Sequence, residues 1–196
     1  KVNLFLGLLD KLQCGRDALI YILSQCEVDY DNENIINNLI RLGMTDYLKE
    51  NDYLPKGSLV ITKVKDIASL REIHAHVETI EIPYEALSSN RDWLQGESPD
   101  DVGFLMDLLL SKKNMQSERF WLSILNSINV LLKNNRLDSA IVMFDRFNEV
   151  EPEEATYIYM TLLKEGRTLS GGDWDKCFRQ LNRYILKTGG FIERLL

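Results

Sequence analysis

The run ERFWLSILNSINVLLKNN (118–135), RLDSAIVMFDRFNEV (136–150), EPEEATYIYMTLLKEG (151–166) and, after a short break, DWDKCFRQLNRYILKTG (173–189) decides the fold. Each segment has the length and apolar spacing of one amphipathic helix. In the second, Leu137, Ala140, Ile141, Phe144 and Phe147 form one continuous apolar face. In the fourth, Trp174, Cys177, Phe178, Leu181, Tyr184 and Ile185 repeat that spacing. Ala140 and Cys177 take equivalent small-residue positions. Pro152 opens the third segment at its first turn, where a missing N–H costs nothing. Helix pairs of this kind cannot bury their apolar faces alone, so they stack on neighbours and build an extended surface. The expected fold is mainly α: stacked antiparallel helix pairs, with a small strand-helix-strand element in the N-terminal half.

Working back toward the N-terminus, Ser98-Pro99-Asp100-Asp101 is a helix start, with Ser as cap, Pro first and acids in the first turn. Residues 88–101 read as a connector, and a boundary near residue 97 divides the chain into 1–97 and 98–196. Within the first part, SLVITKV (58–64) and VETIEIPY (77–84) have strand character. DIASLREIHAH (66–76) lies between them with helical spacing at Ile67, Leu70 and Ile73, and Asp66 as its cap. Two strands alone are marginal, so they must pack on helices or find other strands. Further helices are expected at 2–13 and 16–26, joined at Gly15, and from a capping Asp31 to a terminating Gly43. A short one follows from a capping Thr45.

The net charge is −7. Residues 118–196 hold 11 basic and 11 acidic side chains, so the acidic excess lies upstream. An acidic chain repels phosphate backbones at long range. Cys14, Cys26 and Cys177 are scattered and odd in number, which suggests buried thiols in a reducing compartment, cytoplasmic or mitochondrial. No apolar run reaches the ~20 residues of a membrane span. With Lys at position 1, the chain is expected to be a processed or truncated piece.

Over roughly residues 100–188 the chain resembles the tetratricopeptide and pentatricopeptide repeat superfamily. Ala140, Phe144 and Pro152 stand at the relative spacing of the tetratricopeptide small residue, aromatic and terminal proline. Pro152 with Thr156-Tyr157 is similar to the opening of a pentatricopeptide repeat. Ile128 stands where the family has a small residue, and the loop RTLSGG (167–172) is longer than the family's. The first family implies a peptide or protein ligand. The second implies single-stranded RNA in an organelle, read by a polar residue early in the first helix of each pair. The matching positions are Leu125 and Ile158, which cannot hydrogen-bond a base edge.

Lys176, Arg179, Arg183 and Lys187 form a basic stripe opposite the apolar face of the last helix, able to meet phosphates or an acidic partner. Most such stripes are solvated faces. Trp93, in a polar connector, is a candidate interface anchor, whereas Trp121 and Trp174 belong to helical apolar faces and read as core. His74 and His76 diverge on a helix, and no trio of ligands accompanies them. Asp29, Asp31 and Glu33 begin like a calcium loop, but Asn34 and Ile40 stand where its Gly and Glu belong. No phosphate-loop, nucleophile-elbow, zinc-protease or dinucleotide motif is present. The expectation is a non-catalytic protein–protein interaction scaffold or adaptor within a larger assembly, without a cofactor or metal. The alternatives are an organellar RNA-binding helical-repeat protein and a regulatory fragment of a larger enzyme.

Overall fold

The computed structural model describes residues 15–62, 64, 66–83, 86, 98–111, 120–166 and 172–188. Among them are nine helices and two strands. The chain divides into two compact units, Lys1–Ala86 and Leu87–Leu196. The fold is mainly α, with stacked helices and a small two-stranded parallel sheet.

The N-terminal unit contains α1 (Arg16–Ser24), α2 (Glu33–Arg41), α3 (Thr45–Glu50), β1 (Ser58–Val60), α4 (Ile67–His74) and β2 (Thr79–Glu81). The two strands are shorter than their sequence pattern suggests. They pair in parallel, Leu59 opposite Ile80, with α4 as the crossover. Leu59, Ile61, Ile80 and Ile82 are buried and alternate with more exposed neighbours, as one-sided strands require. α4 buries Ile67, Leu70 and Ile73. Asp66 caps it as its position suggested, its Oδ1 accepting from the Ser69 N–H at 2.8 Å.

Asn37 closes the other edge of β1. Its buried Nδ2 donates to the Val60 carbonyl at 2.7 Å and its Oδ1 accepts from the Thr62 N–H at 2.8 Å. A residue of a parallel neighbour strand would offer β1 the same donor and acceptor. The amide of one side chain thus stands in for a third strand and locks α2 to the sheet. The same Nδ2 also lies 3.0 Å from the Glu33 carbonyl.

Two capping expectations shift by one residue. Asn32, not Asp31, caps α2, accepting from the Asn34 N–H at 3.0 Å. Thr45 is the first residue of α3, and Met44 occupies the cap position without a side-chain bond. For Thr45 the reason lies in the end of α2. Gly43, at φ +74°, lets the Met44 N–H reach the Leu39 carbonyl and its own N–H the Ile40 carbonyl. That hydrogen-bonded reversal leads straight into α3. Asp52 and Asn135 end α3 and α6 (Phe120–Lys133) in the same left-handed conformation, at φ 56° and 58°.

The C-terminal unit contains α5 (Pro99–Leu109), α6, α7 (Leu137–Val150), α8 (Pro152–Gly166) and α9 (Asp173–Lys187). Ser98 caps α5, and Pro99 is its first residue. α7 is the hub, touching α5, α6, α8 and α9. Ala140, Met143, Phe144 and Phe147 are buried, and Phe147 meets Phe120 of α6 with ring centroids 6.2 Å apart. α6 and α8 lie side by side and run the same way. Trp121 contacts Tyr157, and Asn129 bonds Glu165, 36 residues apart in each case. α9 is tied in by polar bonds: Trp174 to Asn129, Cys177 to Asn135, Tyr184 to Asp145, and Asn182 to Tyr159. Burial and the phenol of Tyr184 act in opposite directions on Asp145, and burial prevails, raising its carboxyl above the ordinary range. The bond to Asp145 holds the Tyr184 phenol up at about 12.

Asn37→Ala is expected to lower stability by about 2 kcal/mol, the cost of leaving strand-edge groups without their side-chain partner. Urea denaturation with an unchanged slope checks this. Phe144→Ala should cost ~3–5 kcal/mol, because the ring is buried in a helix packed on several sides. A thermal midpoint equal to wild type would mean that this face of α7 is not packed as described.

Candidate functional site

The described surface offers three features with chemical character: an apolar face on α8, a basic stripe on α9 and a cavity in the N-terminal unit.

The face on α8 follows from which side of that helix is buried. Ala155, Ile158, Tyr159 and Leu162 point into the unit. On the opposite side Tyr157 is 57% exposed and Met160 51% exposed. Trp121 of α6 packs edge-on against Tyr157, with ring centroids 4.7 Å apart. Trp121 is therefore only half-buried, a correction to its reading as core, whereas Trp174 is buried and stacks on Phe178. Leu122, the neighbour of Trp121, is exposed as well. Glu153 lies one turn before Tyr157, and Lys164 one turn after Met160; both are exposed. At the start of α8, burial and the nearby Glu154 and Glu153 raise the Glu151 carboxyl. Sequence reading passed over Tyr157 and Met160 as site residues. Their spacing with Glu153 and Lys164, at steps of four, three and four, puts all four on one side of the helix but does not say which side is buried.

The basic stripe lies where its spacing put it. Lys176, Arg179, Arg183 and Lys187 are all exposed on α9. Arg179 is ion-paired with Asp175 one turn earlier, which holds the Asp175 carboxyl below its usual range. Such an exposed pair contributes little to stability, but it removes one positive charge from the field of the stripe. Leu125 and Ile158, the positions matching base-reading residues, are buried. Trp93 lies outside the described residues.

In the N-terminal unit a cavity of about 250 Å³ lies beside Tyr30 and Tyr53, whose rings stack at 3.7 Å. Asp31, Glu33 and Asp52 line it. Asp52 is paired with Lys56 at 3.5 Å. Asp31 and Glu33 flank the cap of α2, where negative charge stabilises a helix N-terminus. Burial and the hydroxyl of Tyr47, 3.1 Å away, raise the Tyr30 phenol well above its ordinary value. Among the described residues no three His, Cys, Asp or Glu side chains are placed to hold a metal ion. Of the cysteines, Cys177 is buried as expected but Cys26 is exposed, since it lies just past the end of α1. No helix among the described residues is long and apolar enough to cross a membrane.

Comparison with known proteins found no matching family model, no similar curated protein and no similar solved structure.

The stripe on α9 generates a direct test. We expect single-stranded RNA to bind negligibly at physiological salt, and Arg179→Glu with Arg183→Glu to leave that unchanged. Fluorescence anisotropy over a salt series checks it. Tight binding whose salt slope falls by about one unit per lost charge would make the stripe a phosphate site.

Proposed function

We propose that this chain is a non-catalytic protein–protein interaction subunit, a scaffold or adaptor that docks through the face of α8 and the adjoining edge of α6. The observation that carries this reading is the exposure of Tyr157, in ring contact with a half-buried Trp121, and of Met160 beside it, in the middle of an otherwise well-packed helix. Aromatic and thioether side chains gathered on a rigid surface supply large contact area at small entropic cost, and they are enriched at protein interfaces. Acidic groups at one end of the face and a lysine at the other give it a polar rim. The RNA-binding alternative is less well supported, because Leu125 and Ile158 are buried and a carboxylate engages one member of the basic stripe.

The test is a photo-activated cross-linking amino acid placed at Met160, with a second at Lys133 on another exposed position as control. Irradiation in cell extract, with and without nuclease, is expected to give nuclease-resistant protein adducts from position 160 and few from 133. Adducts that disappear with nuclease, or equal yields from both positions, would overturn the reading.

A further inference from the structure

The exposed side of α8 is palindromic in chemistry. Glu153 and Lys164 are equidistant from the point between Ile158 and Tyr159. So are Tyr157 and Met160, and so are Thr156 and Thr161. The steps of four, three and four residues place Glu153, Tyr157, Met160 and Lys164 on one straight seam of the kind that packs two helices together. The buried Ala155, Ile158, Tyr159 and Leu162 occupy the opposite side.

We infer that this seam binds a second copy of the chain, α8 against α8 in antiparallel register about a two-fold axis. The inference rests on the interaction reading above and names its partner. In that register Tyr157 lies over Met160 of the partner subunit and Met160 over the partner's Tyr157. Glu153 then meets Lys164 of the partner subunit at both ends, since an isologous interface makes each contact twice. A parallel pairing would set Glu153 on Glu153 and Lys164 on Lys164, so the charges select the antiparallel one.

The threonines fit this packing. The Thr156 hydroxyl donates to the Pro152 carbonyl and the Thr161 hydroxyl to the Tyr157 carbonyl, each at 2.9 Å. Both side chains can therefore be covered without stranding a donor, and their small size lets the helices approach. The T-shaped contact with Trp121 holds the Tyr157 ring, so the aromatic is positioned before association. The seam is about 16 Å long at 1.5 Å per residue. That places the contact in the small class of interface and the dimer in a weak, reversible, micromolar range.

Sedimentation equilibrium of the purified chain over a concentration series tests the proposal, with circular dichroism to confirm that each variant is folded. The wild type should associate to a dimer and no further. Lys164→Glu alone and Glu153→Lys alone should each raise the dimer dissociation constant by about tenfold or more, because each creates two like-charge contacts. Mixing the two variants in equal amounts should restore a dimer, since every end contact then pairs opposite charges. A wild type that stays monomeric into the high micromolar range overturns the dimer, as does a Lys164→Glu variant that associates like wild type. The cross-link at position 160 separates the two readings. A monomeric wild type that still gives heterologous protein adducts refutes self-association and leaves the scaffold reading standing. A monomer that gives no protein adduct refutes both.

Discussion

In the C-terminal unit everything is arranged around the burial of α7. That helix carries apolar or small side chains over most of its circumference, and it touches four other helices. Ala140 has no exposed surface, and Phe147 is ringed by neighbours that include Phe120. A helix enclosed to this degree fixes the positions of those around it. Once α7 is covered, α6 and α8 are drawn alongside each other, and α9 is set against both α6 and α7. The polar bonds made by Trp174, Cys177, Tyr184 and Asn182 then choose one orientation of α9 among those that hydrophobic contact alone would permit. Each satisfies a group that would be costly to leave bare in a packed setting.

The candidate surface follows from the same constraint. α8 covers part of α7 with one side only, so its other side faces solvent by default. Most helices in that position carry charged and small polar residues there. α8 carries Tyr157 and Met160 at its centre and keeps its charges at the two ends. Exposed apolar area of this kind is usually committed to a partner, and the symmetric placement of Glu153 and Lys164 gives the surface a preferred direction.

Where local chemistry sufficed, the fold was readable from the sequence. Helical spacing located the helices of the C-terminal unit, and Ser98 and Asp66 announced their helices because a cap needs only its own next turn. The strand-helix-strand order was visible from β-branched runs on either side of a helical period. The two shifted caps have separate causes. In Asp31-Asn32-Glu33 more than one residue can cap, and only the approach of the chain decides. Met44 holds its position because the turn at Gly43 delivers it there. Asp52 and Asn135 at positive φ were not foreseeable, since such a residue at a helix end is less diagnostic than glycine. Asn37 was hidden for a different reason: its partners on the strand lie more than 20 residues along the chain. As for the site, the basic stripe was plain from spacing, because charge contrasts with the apolar face behind it. The α8 seam was not, because Tyr157 and Met160 merge in sequence with Ile158, Tyr159 and Leu162. Only knowledge of which side is buried separates the two sets.

The amide of Asn37 has a consequence that reaches past the folding of one molecule. A two-stranded sheet has outer edges, and an uncovered edge offers its N–H and C=O groups to any passing strand. By occupying the outer edge of β1, a single side chain removes one such invitation, and it does so without adding a strand whose own edge would need cover. On the β1 side, a sheet of minimal size thus presents no free template for edge-to-edge pairing with another molecule.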